Sequence, residues 1–489
     1  MKMKARLHRV VTLIVSAVLL GYPVTSTGQE PRSESDFGAM GLAKILCSAV
    51  FVSGRDLDEA LLHSADFISE ADRALLIARK SDSSGASIRL DRKKRAVQVT
   101  LHGYAGRARY FGDQGCVILP PGFDDVVFDP VPVQSSLPDP MTQPWPMGDV
   151  LPDEPLPAGL DPAKVEDAVG AAFTDGSLTA AFVAVYRGRI IGERYGQGAG
   201  KDTQLESWSM GKSLTATLIG VLAQQGHLNL NDTAPVDRWH RDPEDPRSRI
   251  KISDLMRMSS GLRFTHASQP AHEWGRAIAD HLYIYAGGID AFHFSITRPA
   301  EHPPNTVGRY RNCDPLTLGY IIRQTVEKQG ETYLSWPQKA LFDRIGIRRQ
   351  VLEPDPYGNF LLTGYDYGTG RNWARLGLLY LRDGMWQGER ILPENWADFV
   401  STRAPAWKPP VYGGQFWVNS DEYWRAPKDA YFMAGAGGQN VIIVPSHDLV
   451  VARLGHSRGE RAGEAALNVA LEKLIEAIGE AHETPNRDE

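Results

Sequence analysis

The chain has 489 residues, of which 42% are hydrophobic and 23% charged, and a formal net charge of -6. That length allows a large core plus a second unit, and mild acidity without a basic stripe excludes the electrostatic footprint of a nucleic-acid binder. Three cysteines exclude a disulfide-dense scaffold; no His-Glu-x-x-His or Cys/His spacing occurs, so no metal and no other cofactor is expected.

Lys2, Lys4, Arg6 and Arg9 precede an apolar run from Val10 to Leu20, which has signal-peptide length and is short for a membrane span. Residues 1–29 are therefore read as a signal peptide and the protein as periplasmic or secreted, without an integral membrane domain. The alternative is an uncleaved amino-terminal anchor, because no Ala-x-Ala site precedes Gln29. Residues 30–119 read as a small α+β unit, with a helix over Leu57–Ala78 and strands over Ala86–Leu90 and Ala96–His102. In the second strand Val97, Val99 and Leu101 alternate with polar residues, which implies one buried face. Cys47 and Cys116 can pair in this unit once exported. Cys313, for which the sequence specifies no basic partner, reads as a packed thiol rather than a reactive one. Residues 120–157 are rich in proline, including Pro130, Pro132, Pro138, Pro140, Pro144 and Pro146. They should run extended, either ordered across the next unit by Phe128, Val131 and Trp145 or as a flexible linker.

Residues 158–478 read as the catalytic domain. Asp161-Pro162 has the cap and first-turn chemistry of a helix reaching about Phe173, and Ala180–Tyr186 and Arg189–Tyr195 flank Gly188 as a hairpin. Ser209-Met-Gly-Lys212 then opens an apolar-periodic stretch through Leu214, Leu218 and Leu222, stopped at Gly226. Ser-x-x-Lys on a helix places a hydroxyl and an amine on one face. Burial would lower the amine's pKa towards that of a working base, so Ser209 is a candidate nucleophile and Lys212 its base. Ser207 has no lysine three positions later. Tyr310-Arg-Asn312 follows a turn containing Pro303, Pro304, Asn305 and Gly308 and precedes a helix-like run from Leu316 to Val326. Gly435-Ala-Gly-Gly-Gln439 leads into Asn440–Val444, a connection over Pro445–Asp448, and Leu449–Arg453. Glycines at such a place let backbone N–H groups approach a substrate closely. His456–Gly459 reads as a strand exit, Ala462–Ile478 as the last helix, and 479–489 as a polar tail.

In this order the motifs resemble the serine beta-lactamase and penicillin-binding superfamily, most closely its beta-lactamase-related, class C-like branch with esterases and aminohexanoate-oligomer hydrolases. Ile252–Leu262, Trp373–Tyr380, Gly384–Gly388 and Ile391–Trp396 extend the resemblance to about residues 158–475. It implies an α+β fold, an antiparallel sheet flanked by helices with an all-helical insertion. It implies Tyr310 as acid/base, Asn312 as orienting Lys212 or the substrate, and the N–H groups of Ser209 and Gly438 as an oxyanion hole. Gly435-Ala436-Gly437 stands where the family usually has Lys-Thr-Gly or His-Thr-Gly, so a substrate carboxylate loses its usual partners. Arg309, Arg311 and Arg458 are the nearby cations. Trp208, Tyr412, Trp417, Phe432 and Gln439 are candidates to line the cleft. The expected substrate is a small ester or linear amide, cleaved through an acyl-enzyme. The alternatives are D-amino peptide, peptidoglycan or weak beta-lactam hydrolysis, and a non-catalytic cell-wall binding protein.

Overall fold

The computed structural model describes residues 33–65, 68–78, 85–456 and 460–479. The signal-peptide segment, Arg458 and almost all of the polar tail lie outside the described residues.

A capping box starts α1 (Glu34–Phe51): the Asp36 N–H donates to Ser33 Oγ while the Ser33 N–H donates to the Asp36 carboxylate. The helix is apolar nearly all round, so no amphipathic stripe marked it in the sequence. The helix predicted over Leu57–Ala78 is instead two, α2 (Leu57–Ser64) and α3 (Glu70–Ala78). Ser69 is the reason, since its Oγ accepts the Asp72 N–H at 3.1 Å and begins a new helix. An antiparallel meander follows, β1 (Ala86–Asp91), β2 (Ala96–Leu101), β3 (Tyr104–Tyr110) and β4 (Cys116–Ile118). Val97, Val99 and Leu101 bury against Leu42 and Leu46 of α1, and a Cys47–Cys116 disulfide ties α1 to β4.

The proline-rich segment runs extended over the following unit. Trp145 Nε1 donates to the Gly188 carbonyl at 2.9 Å, Arg348 reaches Pro138 O at 2.7 Å, and Ser136 Oγ reaches Asp343 at 2.7 Å.

That unit comprises α4 (Pro162–Ala171), β5 (Thr179–Tyr186), β6 (Arg189–Tyr195), β7 (Leu205–Glu206), α5 (Gly211–Gln224), α6 (Ile252–Met256), α7 (Asp280–Ala286), α8 (Ala291–Ile296) and α9 (Cys313–Lys328). It continues with β8 (Val351–Leu352), β9 (Asp366–Gly368), α10 (Gly370–Leu381), β10 (Met385–Trp386), β11 (Glu389–Arg390) and α11 (Trp396–Ser401). It closes with β12 (Trp417–Val418), β13 (Tyr431–Gly435), β14 (Gln439–Val444), β15 (Leu449–Gly455) and α12 (Glu460–Ile478). The main sheet has the order β12-β13-β14-β15-β5-β6 and is antiparallel throughout. Strand alternation divides its side chains between two cores. Phe182, Ile442 and Val451 meet Val165, Leu467 and Leu471 of α4 and α12, while Val183, Val441 and Val450 face Leu214 and Trp373 of α5 and α10. The architecture is α+β, an antiparallel sheet between helices, as the resemblance implied. Among the described residues no helix is long and apolar enough to cross a membrane.

A buried polar knot docks the amino-terminal unit. Lys44 of α1 pairs with Glu353 and lies 3.5 Å from the Tyr365 ring centroid, and Glu353 also accepts from Ser48 Oγ at 2.9 Å and the Cys116 N–H at 2.6 Å.

Candidate active site

Ser209 sits in the single 3-10 turn Trp208–Met210 that feeds α5. Trp208 immediately before it takes φ 49°, a left-handed backbone that is costly for a bulky residue and marks a constrained turn. The turn is held from behind by the Ser207 N–H donating to Asp366 O at 3.0 Å and the Ser207 hydroxyl donating to the Asp366 carboxyl.

Lys212 Nζ lies 2.8 Å from Ser209 Oγ and 2.8 Å from the Thr363 carbonyl, and the side chain is 1% exposed. Burial pushes its amine well below the ordinary lysine value, with Asp366 opposing. Burial also raises the Asp366 carboxyl to about 8, against the Ser207 hydrogen bond, which weakens that opposition at neutral pH. A neutral amine can donate to Thr363 O and turn its lone pair to the Ser209 hydroxyl, the geometry of a general base. Tyr285 OH donates to the same Thr363 carbonyl at 2.6 Å.

Tyr310 is half-buried, and its ring centroid is 4.9 Å from Lys212 Nζ. Burial raises its phenol above the ordinary value while a Ser209 hydrogen bond lowers it, so it is a neutral proton donor rather than a phenolate. Asn312 caps α9 and is fully buried. Its Nδ2 donates to His281 O at 3.3 Å and Tyr285 OH at 3.4 Å, which ties Asn312 to α7 beside Lys212.

The β13–β14 hairpin closes the other side. A Cβ on Gly435 would stand 2.1 Å from Ser207 O and 3.0 Å from Ser209 N, so the lysine or histidine expected there by family analogy has no room in this backbone. Ala436 is exposed and borders the cleft with Ser209, whereas the buried Gly437 and Gly438 hold their carbonyls 2.9 and 2.8 Å from Arg453 Nη1. The hairpin residue that meets the cleft is thus Ala436 rather than Gly438.

The other candidates separate. Trp208 borders the cleft. Trp417 and Tyr412 pack on Tyr310, with ring centroids 5.4 and 6.1 Å away, and support it from behind. Phe432 points away into the core under α12. Gln439 is spent on the neighbouring strand, donating to Gly455 O at 2.8 Å and accepting its N–H at 2.7 Å. Arg311 is 3% exposed and caps backbone carbonyls, including Val307 O at 3.2 Å, and Arg309 pairs with Glu301 at 2.9 Å. Sequence reading missed Thr363, Tyr285, His281 and Asp366. Thr363 acts through its main chain, which carries no residue-type signal. His281 borders the cleft, and burial, joined by Lys212 whenever that amine is protonated, holds its imidazole well below the usual value, as a neutral ring.

The Beta-lactamase family model matches residues 164–474, well over half of the chain. A 6-aminohexanoate-dimer hydrolase of Paenarthrobacter ureafaciens is 21% identical over 317 residues, 57% of this chain and 72% of that one. Among solved structures, a provisionally assigned 6-aminohexanoate-dimer hydrolase from Bacillus anthracis has a TM-score of 0.50 at 22% identity, covering 62% of this chain and 81% of its own. A provisionally assigned beta-lactamase from Bacteroides dorei has a TM-score of 0.51 at 15% identity, covering 65% and 99%. At such identities the structural likeness speaks for the shared fold.

Proposed function

The chain belongs to the beta-lactamase family, and on that premise we propose that it is a serine hydrolase cleaving a small ester or linear amide through an acyl-enzyme on Ser209. One observation carries the reading: a buried Lys212 amine held 2.8 Å from Ser209 Oγ by an equally short bond to Thr363 O. Ser209 Oγ attacks the carbonyl carbon as its proton passes to neutral Lys212. The N–H groups of Ser209 and Ala436 receive the developing oxyanion, a contribution of about 3–4 kcal/mol in comparable sites. Collapse breaks the bond to the leaving group, which takes the proton from Tyr310 as Lys212 restores the phenol. Water then attacks the acyl carbon, giving its proton to the same base, and Lys212 returns that proton to Ser209 Oγ as the acyl C–O bond breaks and the acid leaves.

An amide substrate draws support from the named activity of the curated relative, and an ester is the easier reaction for the same groups. Beta-lactam or D-amino peptide hydrolysis is disfavoured because, apart from Lys212 itself, no lysine or arginine is among the described residues that line the cavity at Ser209. The Cys47–Cys116 disulfide supports an oxidising compartment, the periplasm or outside the cell.

Intact-mass measurement after treatment with a fluorophosphonate tests the proposal. A single adduct is expected on Ser209 and none in Ser209→Ala, together with ester turnover that the variant loses. Labelling elsewhere, or turnover undiminished in the variant, overturns it.

A further inference from the structure

The cavity of about 320 Å³ at Ser209 is walled from two sides, and at that volume it is at the small end of ligand pockets, which span about 300–1,000 Å³. Ile278, Leu282 and Ala286 come from the catalytic unit, but Phe37 of α1 and Ile68 come from the amino-terminal unit. The residues matched to the family begin only at 164. We propose that the amino-terminal unit is the acyl-selecting wall of this active site, and that it admits uncharged hydrocarbon acyl groups of moderate length. The inference rests on the acyl-enzyme reading above.

Three features support it. Phe37 is 4% exposed and forms a small apolar cluster with Ile278 and Ala286, its ring edge-on to Tyr283 at 5.6 Å. An acyl chain extending from Ser209 therefore meets α1 before it meets solvent. The wall is anchored to the catalytic unit by the buried Lys44–Glu353 pair, and the Cys47–Cys116 disulfide ties α1 to β4, whose Cys116 N–H also donates to Glu353, so its distance from the nucleophile is set by the fold. The charge at the rim is also of one sign: Glu34 is exposed there, with no lysine or arginine bordering the cavity among the described residues. A carboxylate at the far end of the acyl group meets no cation and one anion, while a methyl end leaves water for apolar side chains.

The test is a series of p-nitrophenyl esters from acetate to decanoate, with the hemisuccinate as the anionic member, assayed by kcat/KM. Wild-type labelling at Ser209 comes first; its absence counts against the acyl-enzyme reading, whereas the inference about the wall is judged on ratios within the series. The wild type should peak at an intermediate chain and turn over the hemisuccinate about tenfold more slowly than the butyrate, the scale of a single unfavourable contact in a pocket. Phe37→Ala opens the wall and should raise the decanoate-to-butyrate ratio about tenfold. Leu282→Trp, which fills the same cavity from α7 beside Phe37, should lower the hexanoate-to-acetate ratio by a similar factor. Ratios that stay within about twofold in both variants, or a preference for the hemisuccinate, overturn the proposal.

Discussion

Gly435→Ala is the sharpest single perturbation of this site. The added methyl would stand 2.1 Å from Ser207 O, where real Cβ contacts do not fall below 3.0 Å, so the hairpin and the nucleophile turn must part by about 0.9 Å. Neither side offers a flexible side chain to absorb the change. Ser207 is held by its N–H bond to Asp366 O at 3.0 Å, and Gly435 is paired to Gln439 across the hairpin. Gly435 is not among the residues with positive φ, so alanine brings a clash without backbone strain. Overpacking of this kind costs about 1–3 kcal/mol of stability, and a displacement near 1 Å at a reacting centre costs about 100-fold in rate. We therefore expect kcat/KM for p-nitrophenyl butyrate, and the rate of fluorophosphonate acylation, to fall about 100-fold, with a lowered denaturation midpoint. A variant within about threefold of wild type on both rates, and equally stable, would refute the argument that the hairpin's contact with the Ser207–Ser209 backbone sets the catalytic geometry.

Two further outcomes follow from buried charge. Because burial depresses the Lys212 amine, the unfolded chain keeps up to about pH 10.4 a proton that the folded chain gives up earlier, so this group makes stability rise with pH from the depressed folded value up to the unfolded one. Lys212→Met should remove that slope and raise the denaturation midpoint at pH 7 while abolishing acylation, since Thr363 O keeps its Tyr285 partner; a midpoint that falls would contradict the sign. For the wild type, the same depression predicts that kcat/KM drops on the acid side as Lys212 takes up its proton. Glu353→Ala strands the Lys44 ammonium among buried groups and should cost about 3–5 kcal/mol in denaturant unfolding, most of it recovered by replacing both residues with Met. A loss below about 1 kcal/mol would show that the knot does not anchor α1.

Ser209 and Lys212 were legible in the sequence because helix geometry alone puts positions three apart on one face. The period-2 alternation of Val97, Val99 and Leu101, and the hairpin around Gly188, were likewise readable, since each depends on neighbours in the chain. α1 was not, because a helix buried on nearly every side has no polar stripe to betray its period. The split at Ser69 was missed because one local cap outweighed a run of otherwise helical residues.

By itself, the order of residues determined which groups could react: a hydroxyl and an amine one turn apart, a tyrosine presented from a loop, and a glycine-rich hairpin. Tertiary structure alone decided that the Lys212 amine is buried and depressed, that its other partner is the main chain of Thr363, and that Ala436 rather than Gly438 borders the cleft. It also turned Gln439 and Phe432 away from the cleft and brought Phe37 to the cavity at Ser209 from far along the chain. The division is physical: spacing along a helix or strand is set by local dihedral angles, whereas desolvation, carbonyl acceptors and cavity walls exist only once distant segments pack together.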